Sequence, residues 1–111
     1  MSFRRVAHVC DVPERRGLCV QVDGIEVGLF RVGEAIHAME NRCPHAGHPL
    51  SEGELEGTVV VCGLHGWEFD VTTGFRPGNE DGFPNPCFAV RIEAGCVYVD
   101  ISRSTNIPGR R

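Results

Sequence analysis

Apolar and polar residues alternate over several short stretches of this chain, and a period of two is typical of β-strands with one buried face. Residues 18–22 and 25–29 alternate in this way, and Asp23-Gly24 between them favours a two-residue hairpin turn. A second turn at Gly33-Glu34 leads into the apolar stretch 35–39. The first part of the chain is therefore predicted to form consecutive short strands.

The later part of the chain shows the same period. Residues 67–71 alternate before the turn Thr72-Thr73-Gly74, and residues 88–92 and 97–101 flank a turn at Glu93-Ala94-Gly95. The last two stretches predict a C-terminal hairpin with one buried side. A helical period over ten or more residues is not found anywhere in the sequence.

Glycine and proline interrupt the chain often, with 14 Gly and 7 Pro in 111 residues. This composition and the period of two predict an all-β fold with many turns, in one domain with a modest core. Residues 76–86 contain three Pro and two Gly, so they are predicted to form a surface loop and not a central strand. The chain from Ser102 onward is predicted to be frayed.

The formal net charge of −4 is distributed unevenly, because residues 51–100 contain nine acidic residues and two Arg. Nucleic acid is therefore not expected as a partner, since phosphate binding requires a basic face. Two interpretations of the acidic half remain open. It docks onto a basic protein surface, or it serves only solubility.

The location of the protein is expected to be cytoplasmic. No apolar run is long enough to cross a membrane, and the basic N-terminus is not followed by the apolar region of a signal peptide. In a reducing compartment, the six Cys favour metal binding or buried thiols over three disulfides. Four of them are predicted to be unpaired thiols in or near the sheets: Cys10, Cys19, Cys87 and Cys96.

Two short motifs each combine a thiol with an imidazole. They are Cys43-Pro44-His45, the first motif, and Cys62-Gly63-Leu64-His65, the second motif, with sixteen residues between His45 and Cys62. Residues 54–61 between them predict a small hairpin that would bring the two loops side by side. Two such loops suit a site with two metal centres, with the thiolates on one centre and the imidazoles on the other. A single structural zinc is the alternative, although its usual Cys-x2–4-Cys spacing does not match the first motif.

Cys-x-His followed by Cys-x-x-His at this spacing resembles the signature of the Rieske-type 2Fe-2S proteins. Residues 43–51 look like the first cluster-binding loop of that family, and residues 62–74 look like the second. The Pro-rich loop at 77–86 and the closing strands also fit, so the resemblance covers nearly the whole chain.

The resemblance implies a Rieske-type iron–sulfur fold of stacked antiparallel sheets with a small cluster-binding subdomain of two loops. One domain would span residues 1–102, with the loops at about 41–75 and a tail at 103–111. The implied cofactor is one 2Fe-2S cluster. By position, its ligands would be Cys43 and Cys62 on one iron and His45 and His65 on the other, and no catalytic residue is implied.

The resemblance also implies a low-potential subtype. High-potential members carry an extra Cys in each loop, which together form a disulfide, and the matching positions here are His48 and Leu64. Those members also place hydroxyl groups near the cluster where this chain has Trp67 and Phe69. Fewer hydrogen bonds to sulfur stabilise the reduced state less, so we expect a potential near the bottom of the roughly −150 to +300 mV Rieske range.

The function implied by the resemblance is one-electron transfer from a flavin-dependent reductase to a terminal oxygenase, as in ferredoxin components of ring-hydroxylating dioxygenases. The chain would then be a non-catalytic component of an oxidoreductase system, since an oxygenase needs a further large domain with a mononuclear iron. A small subunit of a larger reductase, such as nitrite reductase, is the alternative. A zinc-binding structural module is a third and remote alternative.

Overall fold

The computed structural model describes residues 3–42, 47–63, 66–78 and 84–106. Within these ranges the chain forms nine strands, which confirms the all-β prediction, and two 3-10 helices of three residues each. The strands are β1 Arg4–His8, β2 Leu18–Val22, β3 Ile25–Val32, β4 Ala35–Glu40, β5 Glu54–Glu56, β6 Val59–Val61, β7 Glu68–Asp70, β8 Cys87–Glu93 and β9 Cys96–Ser104. The 3-10 helices are Val9–Asp11 and Leu50–Glu52. No helix in the described part of the chain has the length and apolar character needed to cross a membrane.

Six of the strands form an antiparallel large sheet in the order β1-β9-β8-β4-β3-β2. Its two edge strands, β1 and β2, lie close to each other, so the sheet curls towards a closed barrel. The enclosed face carries a core of fully buried aliphatic side chains, among them Val27, Leu29, Val97 and Val99. The alternating residues of the predicted hairpins therefore supply this core.

The two predicted tight turns of the large sheet are present. Asp23 and Gly24 have φ of 50° and 85°, and Ala94 and Gly95 have φ of 52° and 79°. Two successive left-handed residues define the turn whose twist matches paired antiparallel strands. These turns fix the register in which Val22 pairs with Ile25 and in which Cys96 pairs with Glu93 on the neighbouring strand.

The remaining strands form a small sheet in the order β5-β6-β7. It packs on the outer face of the large sheet and builds a second core there. Phe30, Met39 and Cys87 of the large sheet are buried in it against residues of the small sheet, including Val60 and Phe69. Two stacked antiparallel sheets were expected from the resemblance, and the structure has this arrangement.

The prediction that the chain frays from Ser102 is wrong for residues 102–106. Strand β9 continues to Ser104, and the Thr105 N–H then donates a hydrogen bond of 2.8 Å to the Cys87 carbonyl. The Asn106 side chain is also hydrogen bonded, to groups described below. The domain boundary near residue 102 stays a prediction.

The Pro-rich segment is a loop wherever it is described. Residues 76–78 and 84–86 belong to none of the strands, as predicted, and residues 79–83 lie outside the described ranges. The buried side of the C-terminal hairpin is shorter than predicted. Phe88 is buried, whereas Ile92 near the hairpin turn is 42% exposed.

Cys87 lies between the two sheets, and its thiol is expected to resist alkylation. Burial, with a smaller contribution from the negative charge of Asp70, raises the pKa of the Cys87 thiol to about 12. A thiol with that pKa is about 1% ionised at pH 10, and only the thiolate is an efficient nucleophile.

Peptide mapping after iodoacetamide treatment of the folded protein at pH 8 and pH 10 tests this expectation. Exposed Cys10 and Cys19 should be labelled at both pH values, while Cys87 should be labelled only after denaturant is added. Labelling of Cys87 in the folded protein at the rate of Cys19 would contradict the burial described here.

Candidate metal centre

The first motif lies outside the described residues, but the structure shows how its two ends are held. Asn41 is buried at the end of β4, and its backbone N–H donates to the Glu26 carbonyl at 2.9 Å. Its side-chain oxygen accepts from the Ser51 N–H at 2.7 Å, and its side-chain nitrogen donates to the Ser51 hydroxyl at 2.9 Å. A buried amide therefore joins the two ends of the segment that contains the first motif.

The second motif occupies the connection between β6 and β7. The Cys62 N–H donates to the Trp67 carbonyl at 2.7 Å, and the Gly66 N–H donates to the Cys62 carbonyl at 3.0 Å. Gly66 has a φ of 74°, a left-handed value that favours glycine. Cys62 is 1% exposed, whereas Leu64 and His65 lie outside the described residues.

The structure brings the two loops side by side, as the hairpin prediction required. His48 belongs to the first loop, and its Nε2 lies 3.6 Å from the position that a Cβ would occupy on Gly63 of the second loop. The same nitrogen lies 4.0 Å from a carboxylate oxygen of Glu52. The half-buried His48 ring is therefore packed between the second loop and its own 3-10 helix.

Trp67 follows the second motif and packs, partly buried, against the second core. Its ring centroid lies 6.5 Å from that of Phe69, and the Arg76 guanidinium carbon lies 3.7 Å from the Trp67 centroid. A guanidinium over an indole face is a favourable cation–π contact. Arg76 therefore links the start of the Pro-rich loop to the end of the second motif.

Asp70 lies at the end of β7, and its carboxylate interacts with both hydrogen-bond donors and titratable groups. Its oxygens accept hydrogen bonds from the Thr72 N–H at 2.9 Å and from the Thr58 hydroxyl at 3.3 Å. Burial lowers the pKa of His37 on the facing large sheet, and the charge of Asp70 partly opposes this. The second loop is thus anchored through β7 to a hydrogen-bonded turn.

Of the four predicted ligands, Cys62 lies in the described part of the chain, while Cys43, His45 and His65 do not. Within residues 3–42, 47–63, 66–78 and 84–106, no three His, Cys, Asp or Glu residues are grouped as a metal site. The residues nevertheless fit an iron–sulfur cluster. Each motif offers one thiol and one imidazole, and adjacent loops with fixed ends carry the two motifs.

Comparison with known proteins identifies the family. The Rieske [2Fe-2S] domain matches residues 2–81. The biphenyl dioxygenase ferredoxin subunit of Pseudomonas sp. (strain KKS102) is 36% identical over 105 residues, which covers 94% of this chain and 96% of that protein.

Two solved structures have the same fold. The ferredoxin of carbazole 1,9a-dioxygenase from Nocardioides aromaticivorans IC177 is 28% identical with a TM-score of 0.81, over 89% of this chain and 97% of that one. The second is a chain in the complex of reduced oxygenase and oxidized ferredoxin in carbazole 1,9a-dioxygenase. It is 33% identical with a TM-score of 0.78, over 87% of this chain and 91% of that one.

This chain belongs to the Rieske [2Fe-2S] domain family. Membership implies one 2Fe-2S cluster, in agreement with the cofactor inferred from the two motifs.

Sequence reasoning missed the residues that hold the loops in place. Asn41 and Ser51 act through a hydrogen-bonded pair ten residues apart, and Arg76 acts by stacking on Trp67. Isolated Asn, Ser and Arg residues are common on protein surfaces, so their spacing carried no signal. Their roles in holding the loops follow only from the tertiary structure, in which β6 pairs with β7 and Asn41 bonds to Ser51.

The contact of His48 with the second loop predicts that the ring helps to retain the metal. His48→Ala should release iron to an excess of chelator several-fold faster than the parent protein, because the two loops would lose a packing contact. Glu52→Gln is the matched control, since it removes the charge near His48 Nε2 and leaves the ring in place. The rate of iron release is measured as the loss of visible absorption. Equal rates for all three proteins would refute the role of the ring.

Proposed function

We propose that this chain is a one-electron carrier whose 2Fe-2S cluster is bound by Cys43 and Cys62 on one iron and by His45 and His65 on the other. The observation that carries the proposal is the adjacency of the two motif-bearing loops, together with membership of the Rieske family. When bound, such a cluster supplies a site that accepts and releases a single electron. The chain's own residues hold that site in place and set its potential.

The mixed ligand set determines how readily an electron is accepted. Two thiolates and two neutral imidazoles leave an oxidised centre of two ferric ions and two sulfides without formal net charge, whereas four thiolates would make it a dianion. Adding an electron to a neutral centre costs less electrostatic energy. His45 and His65 therefore raise the potential above that of an all-cysteine centre.

The held loop ends suit electron transfer between proteins. Asn41 and Ser51 fix the base of the first loop, and the Cys62–Trp67 bond fixes the second. A site that moves little when its charge changes needs little rearrangement during each transfer. We propose that the two imidazoles lie at the protein's edge and are the port through which electrons enter and leave.

The proposed partners are a flavin-dependent reductase as donor and a terminal oxygenase as acceptor. Relatives described as ferredoxin subunits of dioxygenases support this role, and the biphenyl dioxygenase subunit is matched over 96% of its own length. The acidic excess of residues 51–100 suits docking on basic partner surfaces. We further propose that the protein acts in the cytoplasm, where its thiols stay reduced.

Chemical analysis of the purified protein tests the cofactor. Iron and acid-labile sulfide should be present in equal amounts, about two of each per chain, with a visible absorption that bleaches on one-electron reduction. Stoichiometric zinc without sulfide would refute the proposal. Stopped-flow mixing of the reduced protein with a ring-hydroxylating oxygenase then tests the direction of transfer, and a failure to reoxidise would refute that partner class.

The ligand assignment is tested by two substitutions with opposite expected results. His65→Cys should lower the potential by on the order of 100 mV if the cluster assembles, because a thiolate adds negative charge. Cys43→Ser should greatly reduce assembly, because the hydroxyl is a poor ligand for iron. Cys19→Ser, at an exposed position outside both motifs, is the control and should match the parent protein in both measurements.

A further inference from the structure

The residues that end β9 form a strap across the molecule, and Asn106 makes most of its bonds. We define the C-terminal strap as residues 104–106. The Asn106 side-chain nitrogen donates to the Thr73 carbonyl and to the Asn85 carbonyl, each at 2.8 Å. Its side-chain oxygen accepts from the Cys87 N–H at 2.9 Å and from the Ser104 hydroxyl at 2.7 Å. One amide therefore joins two separate segments, the turn at Thr73 and residues 85–87, to the end of β9.

Asn85, which the strap contacts, continues the network towards the first motif. This residue is 2% exposed, and its side-chain nitrogen donates to the Glu40 carbonyl at 2.9 Å. Its backbone N–H donates to the Gly74 carbonyl at 2.8 Å. The neighbouring Pro86 carbonyl accepts from the Glu40 N–H at 2.8 Å. The end of β4 is thus bonded to the Pro-rich segment by both backbone and side-chain groups.

These bonds connect the two motif-bearing segments. Glu40 lies three residues before Cys43, and the Thr73-Gly74 turn follows the strand that leads away from the second motif. The two segments belong to different sheets, so the strand ladders do not fix their relative position. Asn85 bonds to both segments, and Asn106 bonds to the Thr73 carbonyl and to Asn85, so the two residues together connect the segments.

The packing at Gly74 shows that the junction has no spare room. Gly74 has a φ of 81°, and a Cβ built there would overlap both the Asn106 side-chain nitrogen and the Asn85 carbonyl. The Cys87 sulfur would lie 3.1 Å from the same Cβ. The strap is therefore seated directly on the turn.

We propose that Asn106 is a positioning residue, which fixes the two motif-bearing segments relative to each other and thereby controls retention of the cluster and its reduction potential. The expected changes in cluster retention and potential rest on the proposed function. The expected change in backbone hydrogen exchange, described below, does not. Loss of the amide removes a donor from the Thr73 and Asn85 carbonyls and leaves the part-buried Cys87 N–H without its acceptor. Unsatisfied buried groups are costly, so the segments are expected to separate and admit water.

The substitution Asn106→Ala tests the proposal, with Asn106→Asp as a second variant. The aspartate keeps the acceptor for Cys87 and removes the two donated bonds. Thr105→Ala is the matched control, because that exposed side chain makes none of these bonds and its backbone bond to Cys87 is retained. Both Asn106 variants should lose the cluster to a chelator roughly fivefold faster, about the factor expected for one net hydrogen bond, and should shift the midpoint potential.

Hydrogen–deuterium exchange supplies the readout that does not depend on the cluster. In both Asn106 variants, backbone exchange should rise in the segments around residues 38–41 and 72–76, and not only near residue 106. If exchange rises only in residues 84–87 and 104–106, or if potential and retention match Thr105→Ala while thermal stability falls, the strap has a merely structural role and the proposal is wrong. A parent protein without iron and sulfide would refute the proposed function, and the exchange comparison would still decide the role of the strap.

Discussion

The packing of the small sheet on the outer face of the large sheet is the interaction on which the rest of the structure depends. The second core joins Phe30 and Met39 of one sheet to Val60 and Phe69 of the other. One motif follows the last residues of a large-sheet strand, and the other connects two strands of the small sheet. The four proposed ligands can therefore meet only if this interface holds, and burial of these apolar side chains supplies the stabilising free energy.

Polar contacts then refine what the apolar interface brings together. The buried Asn41–Ser51 pair joins the ends of the first loop, the Cys62–Trp67 bond joins those of the second, and the His48 ring of the first loop lies beside Gly63 of the second. Hydrogen bonds are directional, whereas apolar packing tolerates small displacements. A site that exchanges electrons needs hydrogen bonds of this directional kind, because its ligands must keep their geometry when the charge of the site changes.

Much of the fold was readable from the sequence because its signals are local. The alternation at residues 18–29 and the pair Asp23-Gly24 specify a hairpin without reference to anything distant, and the same holds for the C-terminal hairpin around Ala94-Gly95. The family was readable because two spaced motifs are rare by chance. Both inferences agree with the structure and the comparisons.

The parts that sequence reasoning missed depend on contacts between distant residues. Ser102 onward looked frayed because a polar C-terminal stretch carries no strand period, yet Asn106 bonds to Thr73, thirty-three residues away along the chain. Asn85 sits in a Pro-rich stretch that predicts only a loop, and its bond to Glu40 spans forty-five residues. Such bonds depend on the packed arrangement of both sheets, so neither residue type nor local spacing reveals them.

The closeness of β1 and β2 at the two edges of the large sheet has a consequence for a shuttle protein. Open strand edges recruit further strands and so promote lasting association between chains. Here the curl of the sheet turns one edge towards the other, so a strand from another chain approaches either edge less easily than it would approach the edge of a flat sheet. A molecule that must leave one redox partner before meeting the next gains from a surface on which encounters stay brief.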